Sequence, residues 1–217
     1  MNVPKLAVIF DLDGTLLNNR ASFAKAYQAL CRRYPRAFDP KNPETELTCI
    51  AFYGEKHRQD AYAALCRTAA PEQLPPMEQF HREWGLLYAQ SAVPMADAKD
   101  VLTYLQNRNY RIGLLTNGNA ERQWAKIHAS GLLPFFHHIV VSGDHPFEKP
   151  DPEIYAVSLR GLGVTAEQAL FVGDTIGTDI DGARNAGIDS LWLTDQSENP
   201  AGATYIAPSV SFLKTIL

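Results

Sequence analysis

Two acids separated by one residue, Asp11 and Asp13, stand where the apolar run Val8-Ile9-Phe10 stops, and Gly14-Thr15 follows at once. Alternating strand geometry would give the two carboxyls a shared direction if the extended backbone continued past Phe10. Gly14 lets the chain turn away, which leaves both acids at the carboxyl end of a buried strand, the edge where open α/β sheets bind ligands. Three later segments repeat the design. Arg111-Ile112-Gly113-Leu114-Leu115 ends in Thr116-Asn117-Gly118, and Ala169-Leu170-Phe171-Val172 ends in Gly173-Asp174-Thr175 with Asp179 and Asp181 beyond. Between them Ile139-Val140-Val141-Ser142 leads into a loop carrying Glu148-Lys149-Pro150. Parallel strands would gather these carboxylates, a hydroxyl, an amide and a lysine at one sheet edge.

Such a gathering needs a counter-charge. Two carboxylates about 5 Å apart repel by roughly 3 kcal/mol at an effective dielectric near 20. A hard divalent cation relieves that repulsion, and Mg²⁺ suits a site of few carboxylates that leaves room for water or a phosphate oxygen. Lys149 adds a further positive charge. Each residue also has a plainer reading. Thr116 could simply end a strand, Asn117-Gly118 is a common turn pair, and Lys149 could be a solvated loop lysine. Asp174 and Asp179 could cap a helix running through Ala183 and Ala186, and Asp181 is assigned to that capping role.

Asp-Leu-Asp-Gly-Thr at 11–15, Leu-Leu-Thr-Asn-Gly at 114–118, Lys149-Pro150 and Gly-Asp-Thr-x-x-x-Asp at 173–179 resemble, in order, the four motifs of the haloacid dehalogenase superfamily. The likeness spans about two-thirds of the chain directly. It implies an α/β fold with a doubly wound parallel sheet at 1–16 and 96–217, and an inserted α-helical cap at 17–95. It also implies roles. Asp11 would attack phosphorus and form an aspartyl-phosphate; an ordinary Asp, with a pKa of about 3.9, is ionised at neutral pH as attack requires. Asp13 would protonate the leaving alcohol and then take a proton from the hydrolytic water. Thr116 would hydrogen-bond the phosphoryl oxygens, with backbone donors of Asn117 and Gly118 close by. Lys149 would neutralise phosphate and hold Asp11. Asp174 would ligate Mg²⁺ beside a carboxylate oxygen of Asp11 and the backbone carbonyl of Asp13, and Asp179 would orient Lys149 or a metal-bound water.

The implied activity is Mg²⁺-dependent hydrolysis of a small phosphomonoester such as a sugar phosphate, a nucleotide or phosphoglycolate. A phosphomutase would use the same residues. A dehalogenase of the superfamily usually has Ser-Asn where this chain has Gly173-Asp174. A receiver-type, phosphate-switched module also collects Asp, Thr and Lys, but lacks a long helical insert and pairs its acids differently.

The elements that must position these residues read clearly. At 217 residues the chain is long enough for one domain plus an inserted subdomain, and its 46% hydrophobic and 20% charged fractions are ordinary for a globular protein. From 17 to 95 helical periodicity takes over, with Ala26, Tyr27, Leu30, Cys31 and Tyr34 on one face and Phe80, Trp84, Leu87 and Tyr88 on another. That stretch carries ten Lys/Arg and eight Asp/Glu against ten and sixteen elsewhere, a mildly basic balance suited to an anionic substrate. Arg20, Lys56, His57 and Arg58 are its candidate substrate contacts, and Phe52-Tyr53-Gly54 could line a pocket or pack between helices. His145 could approach substrate from the loop before Lys149. His137-His138 are expected to be surface or edge residues, and Trp124 and Trp192 to lie in the core. Cys31, Cys49 and Cys66 form no Cys-x-x-Cys pair and are expected to be reduced packing residues. No run reaches membrane-spanning length, and Met-Asn-Val-Pro-Lys leads straight into a strand without a signal-peptide pattern. The expectation is a cytoplasmic monomer or homodimer that meets a small phosphorylated molecule, with no nucleic-acid polymer and no membrane as partner.

Overall fold

The computed structural model describes residues 3–53, 58–68, 74–200 and 202–217, and of Arg58 and Thr68 the backbone alone. Gly54, Lys56, His57 and the Arg58 side chain, named above as candidates, lie outside the described residues. The chain divides into two compact units, Met1–Asn18 with Pro94–Leu217, and Asn19–Val93. In chain order, β1 (Ala7–Phe10) comes first. Helices α1 (Asn19–Arg33), α2 (Pro43–Tyr53), α3 (Arg58–Thr68) and α4 (Met77–Gln90) then form the second unit. The first unit resumes with α5 (Ala98–Asn107), β2 (Arg111–Thr116), α6 (Ala120–Ser130), β3 (His138–Val141) and α7 (Pro152–Leu162). It ends with β4 (Ala169–Gly173), α8 (Asp181–Asn185), β5 (Asp189–Leu193), β6 (Tyr205–Ala207) and α9 (Leu213–Ile216).

β1 and β4 are buried at every position, as strands covered on both faces must be, and their residues are accordingly apolar throughout. All ladders are parallel, in the order β3-β2-β1-β4-β5-β6. Building outward from β1 through β2 to β3, then returning to β4 on its other side, reverses the winding between β1 and β4. Right-handed crossovers on the two sides of that reversal put helices on opposite faces, which makes the sheet doubly wound and opens a crevice at the β1/β4 strand ends. β6 was not foreseen; it is a three-residue strand at the edge, too short to show an alternating pattern.

The helical unit buries the residues its periodicity singled out. Ala26, Tyr27, Leu30, Cys31, Phe80, Trp84 and Tyr88 are within its core, and Tyr34 and Leu87 pack partly buried against it. Phe52 is fully buried and its ring lies 5.1 Å from that of Phe80, so it packs between helices rather than lining a pocket. The indole of Trp84 donates to the Cys49 carbonyl at 2.8 Å, which satisfies the one polar group this large side chain brings inside. Cys31, Cys49 and Cys66 are unpaired. Arg20 is exposed.

Candidate active site

Register brings the chemistry together. Phe10 sits level with Leu114 of β2 and Val172 of β4, so the next residues of all three strands emerge at one edge. Asp11 still follows the ladder, its N–H donating to the Val172 carbonyl at 2.9 Å. The backbone then turns, with Gly14 at φ +85°. A side chain at Gly14 would be strained by that angle, and its Cβ would also fall 2.4 Å from Asp174 Oδ2, so only glycine lets the two loops meet. Because the turn begins directly after Asp11, the two acids of the first motif diverge. Asp11 faces Lys149, whereas Asp13 faces α6.

Lys149 lies at the centre of the site. Its Nζ donates to Asp11 Oδ1 at 2.6 Å and to Asp179 Oδ1 at 2.7 Å, and all three side chains are nearly inaccessible. The solvated-lysine alternative is therefore excluded. Asn117 holds the backbone of this lysine, giving Nδ2 to the Lys149 carbonyl at 2.8 Å and accepting the Lys149 N–H on Oδ1 at 2.9 Å. Beyond β4 a π-type turn, Ile176–Ile180, folds Asp179 back over Gly173. A Cβ on Gly173 would lie 2.4 Å from that of Asp179, so this glycine too is set by close approach. Asp179 is fully engaged on both oxygens, Oδ2 accepting the Thr175 N–H at 3.0 Å.

One ammonium cannot balance the acids around it. Carboxylate oxygens of Asp11, Asp174 and Asp179 lie within 4.8 Å of one another. Burial pushes Asp11 up to about 7, with the charge of Asp179 adding to it and Lys149 opposing. Burial and the Asp179 charge also raise Asp174. Burial works to discharge Lys149, but Asp11 and Asp179 outweigh it and hold the ammonium above its ordinary range. Burial and the neighbouring acids thus hold Asp11 well above the ordinary carboxylate range when no metal is bound. A small hard dication matches this donor set, since it supplies the positive charge that Lys149 alone cannot. Asp11 and Asp174 fit as its carboxylate ligands, with Asp179 already turned to Lys149 and Thr175. Thr15, fully buried, steadies Asp174 through a 3.3 Å hydrogen bond to Oδ1, and the Trp192 indole donates to the Asp174 carbonyl at 2.9 Å.

The phosphate-binding residues read from sequence are placed differently from one another. Thr116 is buried at the end of β2, and its Oγ1 accepts from Gln123 Nε2 at 2.6 Å. The Gly118 N–H donates to Ser142 Oγ at 2.9 Å. The Asn117 side chain belongs to Lys149, as above. Asp13 lies outside the acid cluster, with Lys126 Nζ at 2.9 and 2.7 Å from its two oxygens and Gln123 Nε2 at 3.0 Å from Oδ2.

Gln123, Lys126, Ser142 and Thr15 were not foreseen. For the first two a signal existed: residues 123, 126, 127 and 130 form the buried face of α6, and two of these four are Gln and Lys where core periodicity calls for apolar side chains. Trp124 is a correction in the other direction. It is only partly buried, and its indole donates to Asp144 at 2.9 Å at the surface, so it is not a core residue.

A family model described as haloacid dehalogenase-like hydrolase matches residues 6–187. Glyceraldehyde 3-phosphate phosphatase of Methanopyrus kandleri is 30% identical over 195 residues, covering 84% of this chain and 81% of its own. N-acylneuraminate-9-phosphatase of Homo sapiens is 29% identical over 238 residues, covering 97% and 93%. Among solved structures, YfnB of Bacillus subtilis, described as a HAD-hydrolase bound to magnesium, superposes with a TM-score of 0.78 at 23% identity over 99% of both chains, a likeness of fold.

Proposed function

The chain belongs to the haloacid dehalogenase-like hydrolases, and from that premise we propose that it is a phosphatase of small phosphorylated molecules that uses Mg²⁺ and an aspartyl-phosphate on Asp11. The observation that carries this reading is the buried Lys149 ammonium bridging Asp11 and Asp179 beside Asp174. A carboxylate meant to attack a phosphorus centre needs a fixed cation at its side, and a phosphoryl group needs one as well. Asp11 attacks phosphorus as the ester P–O bond breaks, and the departing oxygen takes a proton from Asp13. Asp13 then removes a proton from the water that cleaves the aspartyl-phosphate, releasing inorganic phosphate and restoring Asp11. Thr116 donates its hydroxyl to a phosphoryl oxygen, Lys149 neutralises another, and Asp179 and Asn117 hold Lys149. Asp11, Asp174 and the Asp13 backbone carbonyl would hold Mg²⁺, which would supply the positive charge that lowers the electrostatic cost of bringing a phosphate dianion to a carboxylate.

The two named relatives are phosphatases of glyceraldehyde 3-phosphate and of an N-acylneuraminate 9-phosphate, and sugar-type phosphates are the first substrates we assign. The helical unit takes the role of specificity cap. A panel of sugar phosphates, nucleotides and phosphoglycolate, assayed for phosphate release with Mg²⁺ and with chelator, tests this function. Activity on at least one sugar phosphate that chelator removes is expected; indifference to chelator would overturn the metal assignment.

Metal binding is expected to depend on pH. Native Asp11 keeps its proton up to about 7, well above its unfolded value. The folded state therefore binds more protons than the unfolded state between roughly pH 4 and pH 7, and stability of the metal-free protein falls as pH rises through that window. A dication must displace those protons, so Mg²⁺ raises the melting temperature more at pH 8 than at pH 6. Thermal melts with chelator and with Mg²⁺ at both values check this, and equal shifts would remove Asp11 from the ligand set.

A further inference from the structure

A hydroxyl group has one proton to give, and what it accepts decides where that proton points. Thr116 Oγ1 accepts from Gln123 Nε2 at 2.6 Å, so its own proton must be directed to some other acceptor. The same amide nitrogen uses its second hydrogen on Asp13 Oδ2 at 3.0 Å. Because Asp13 Oδ2 accepts this hydrogen, whereas a hydroxyl could meet either end of the amide, it is Asp13 that fixes which way the Gln123 amide faces. Lys126, one turn further along α6, binds both Asp13 oxygens and so anchors the far end of the chain of contacts. Gln123 and Lys126 are 3% and 4% exposed. Burying an amide and an ammonium is unfavourable unless they are paired, and Asp13 and Thr116 are among their partners here.

We infer that Gln123 is a positioning residue which turns the Thr116 hydroxyl into a dedicated donor for the substrate phosphate and ties it, with Lys126, to the Asp13 carboxyl. This rests on the roles of Thr116 and Asp13 given above. Gln123 acts on phosphate affinity through Thr116, whereas Lys126 acts on turnover through Asp13. The two side chains thus divide their effects between KM and kcat.

Inorganic phosphate as a competitive inhibitor, with Mg²⁺ saturating, reads the first effect, and kcat for a fixed phosphomonoester reads the second. Gln123→Leu frees the Thr116 hydroxyl to rotate and is expected to weaken phosphate inhibition about tenfold, the worth of one oriented hydrogen bond. Gln123→Glu offers Thr116 an acceptor in place of a donor, captures its proton, and is expected to weaken inhibition further than the Leu variant. Lys126→Met is expected to lower kcat about tenfold or more while phosphate inhibition stays within about twofold of wild type. Thr116→Ala is the reference, and Thr116→Ala/Gln123→Leu should be no worse than Thr116→Ala alone, since the glutamine works through the hydroxyl. Additive losses in the double variant, or wild-type inhibition in both Gln123 variants, would overturn the inference while leaving the phosphatase reading standing. Unchanged inhibition in Thr116→Ala would instead overturn the role of Thr116 itself. If the Glu variant does not fold, the Leu variant and the double-variant comparison decide the matter.

Discussion

Asp11→Asn is expected to fold and to lose at least about 10⁴-fold in turnover, because an amide oxygen neither attacks phosphorus at a useful rate nor leaves an intermediate that water can cleave. The fold survives because Lys149 keeps its second partner, Asp179, at 2.7 Å. Stability is expected to move opposite to activity. Burial and the neighbouring Asp179 charge make ionised Asp11 unfavourable in the metal-free protein, which is why it is pushed up to about 7. Above that pH the wild-type protein carries the cost of a buried surplus charge that the asparagine variant lacks. In chelator at pH 8 the variant should therefore melt at or above wild type, and the advantage should vanish below about pH 3, where Asp11 is protonated in both folded and unfolded states. With Mg²⁺ the order should reverse, since the variant loses an anionic ligand. Parallel melts and phosphate-release assays measure both effects. Residual activity near wild type would remove Asp11 as nucleophile, and a large destabilisation in chelator would mean that the Asp11–Lys149 contact stabilises the fold more than its burial costs.

How much of this site could be read from sequence depends on whether a residue's meaning is local. The β1 run could be recognised because a strand buried on both faces must be apolar at every position, and an acid placed directly after it has few reasons to be there. The helical unit was equally legible, since Tyr27, Leu30, Phe80 and Trp84 recur at helical spacing and each is buried. Lys149 was located by its motif, but nothing in a loop lysine says that it will be 3% exposed between two acids. Its burial follows from the register of β1, β2 and β4 together with Asn117 clamping its peptide. The proton affinity of Asp11 was invisible for the same reason: it depends on how many charges share the pocket, which is a property of three strand ends at once. Gln123 and Lys126 carried no assignment from sequence, because the buried face of α6 looks onto the active-site loops at these two positions rather than onto apolar neighbours. Function had replaced the periodic pattern at those two places, which is where pattern reading is expected to fail.

The largest structural effect is expected from Lys149→Met, which keeps much of the side-chain volume and removes the charge. Two carboxylates, Asp11 and Asp179, then remain buried with their shared cation gone. Breaking a buried pair from one side typically costs about 3–5 kcal/mol, because the partner is left charged and unsolvated. For a chain of this size that corresponds to a fall of roughly 10 °C in melting temperature. The deficit should shrink on acidification, because protonating the two acids relieves the repulsion that the methionine leaves behind. A second change, Lys149→Met/Asp179→Asn, should recover much of the lost stability, since one acid and the missing cation are then removed together. Activity should not recover. Both the phosphate charge and the orientation of Asp11 depend on that ammonium, so phosphate release should stay at least about 10³-fold below wild type in both variants. Urea or thermal unfolding of the single and double variants at pH 5 and pH 8, set beside their turnover, separates the two roles. Stability that returns without catalysis assigns Lys149 to the reaction as well as to the fold. Catalysis that returns with stability would reduce Lys149 to a structural counter-ion for Asp179, and Asp11 would need another cation at its side.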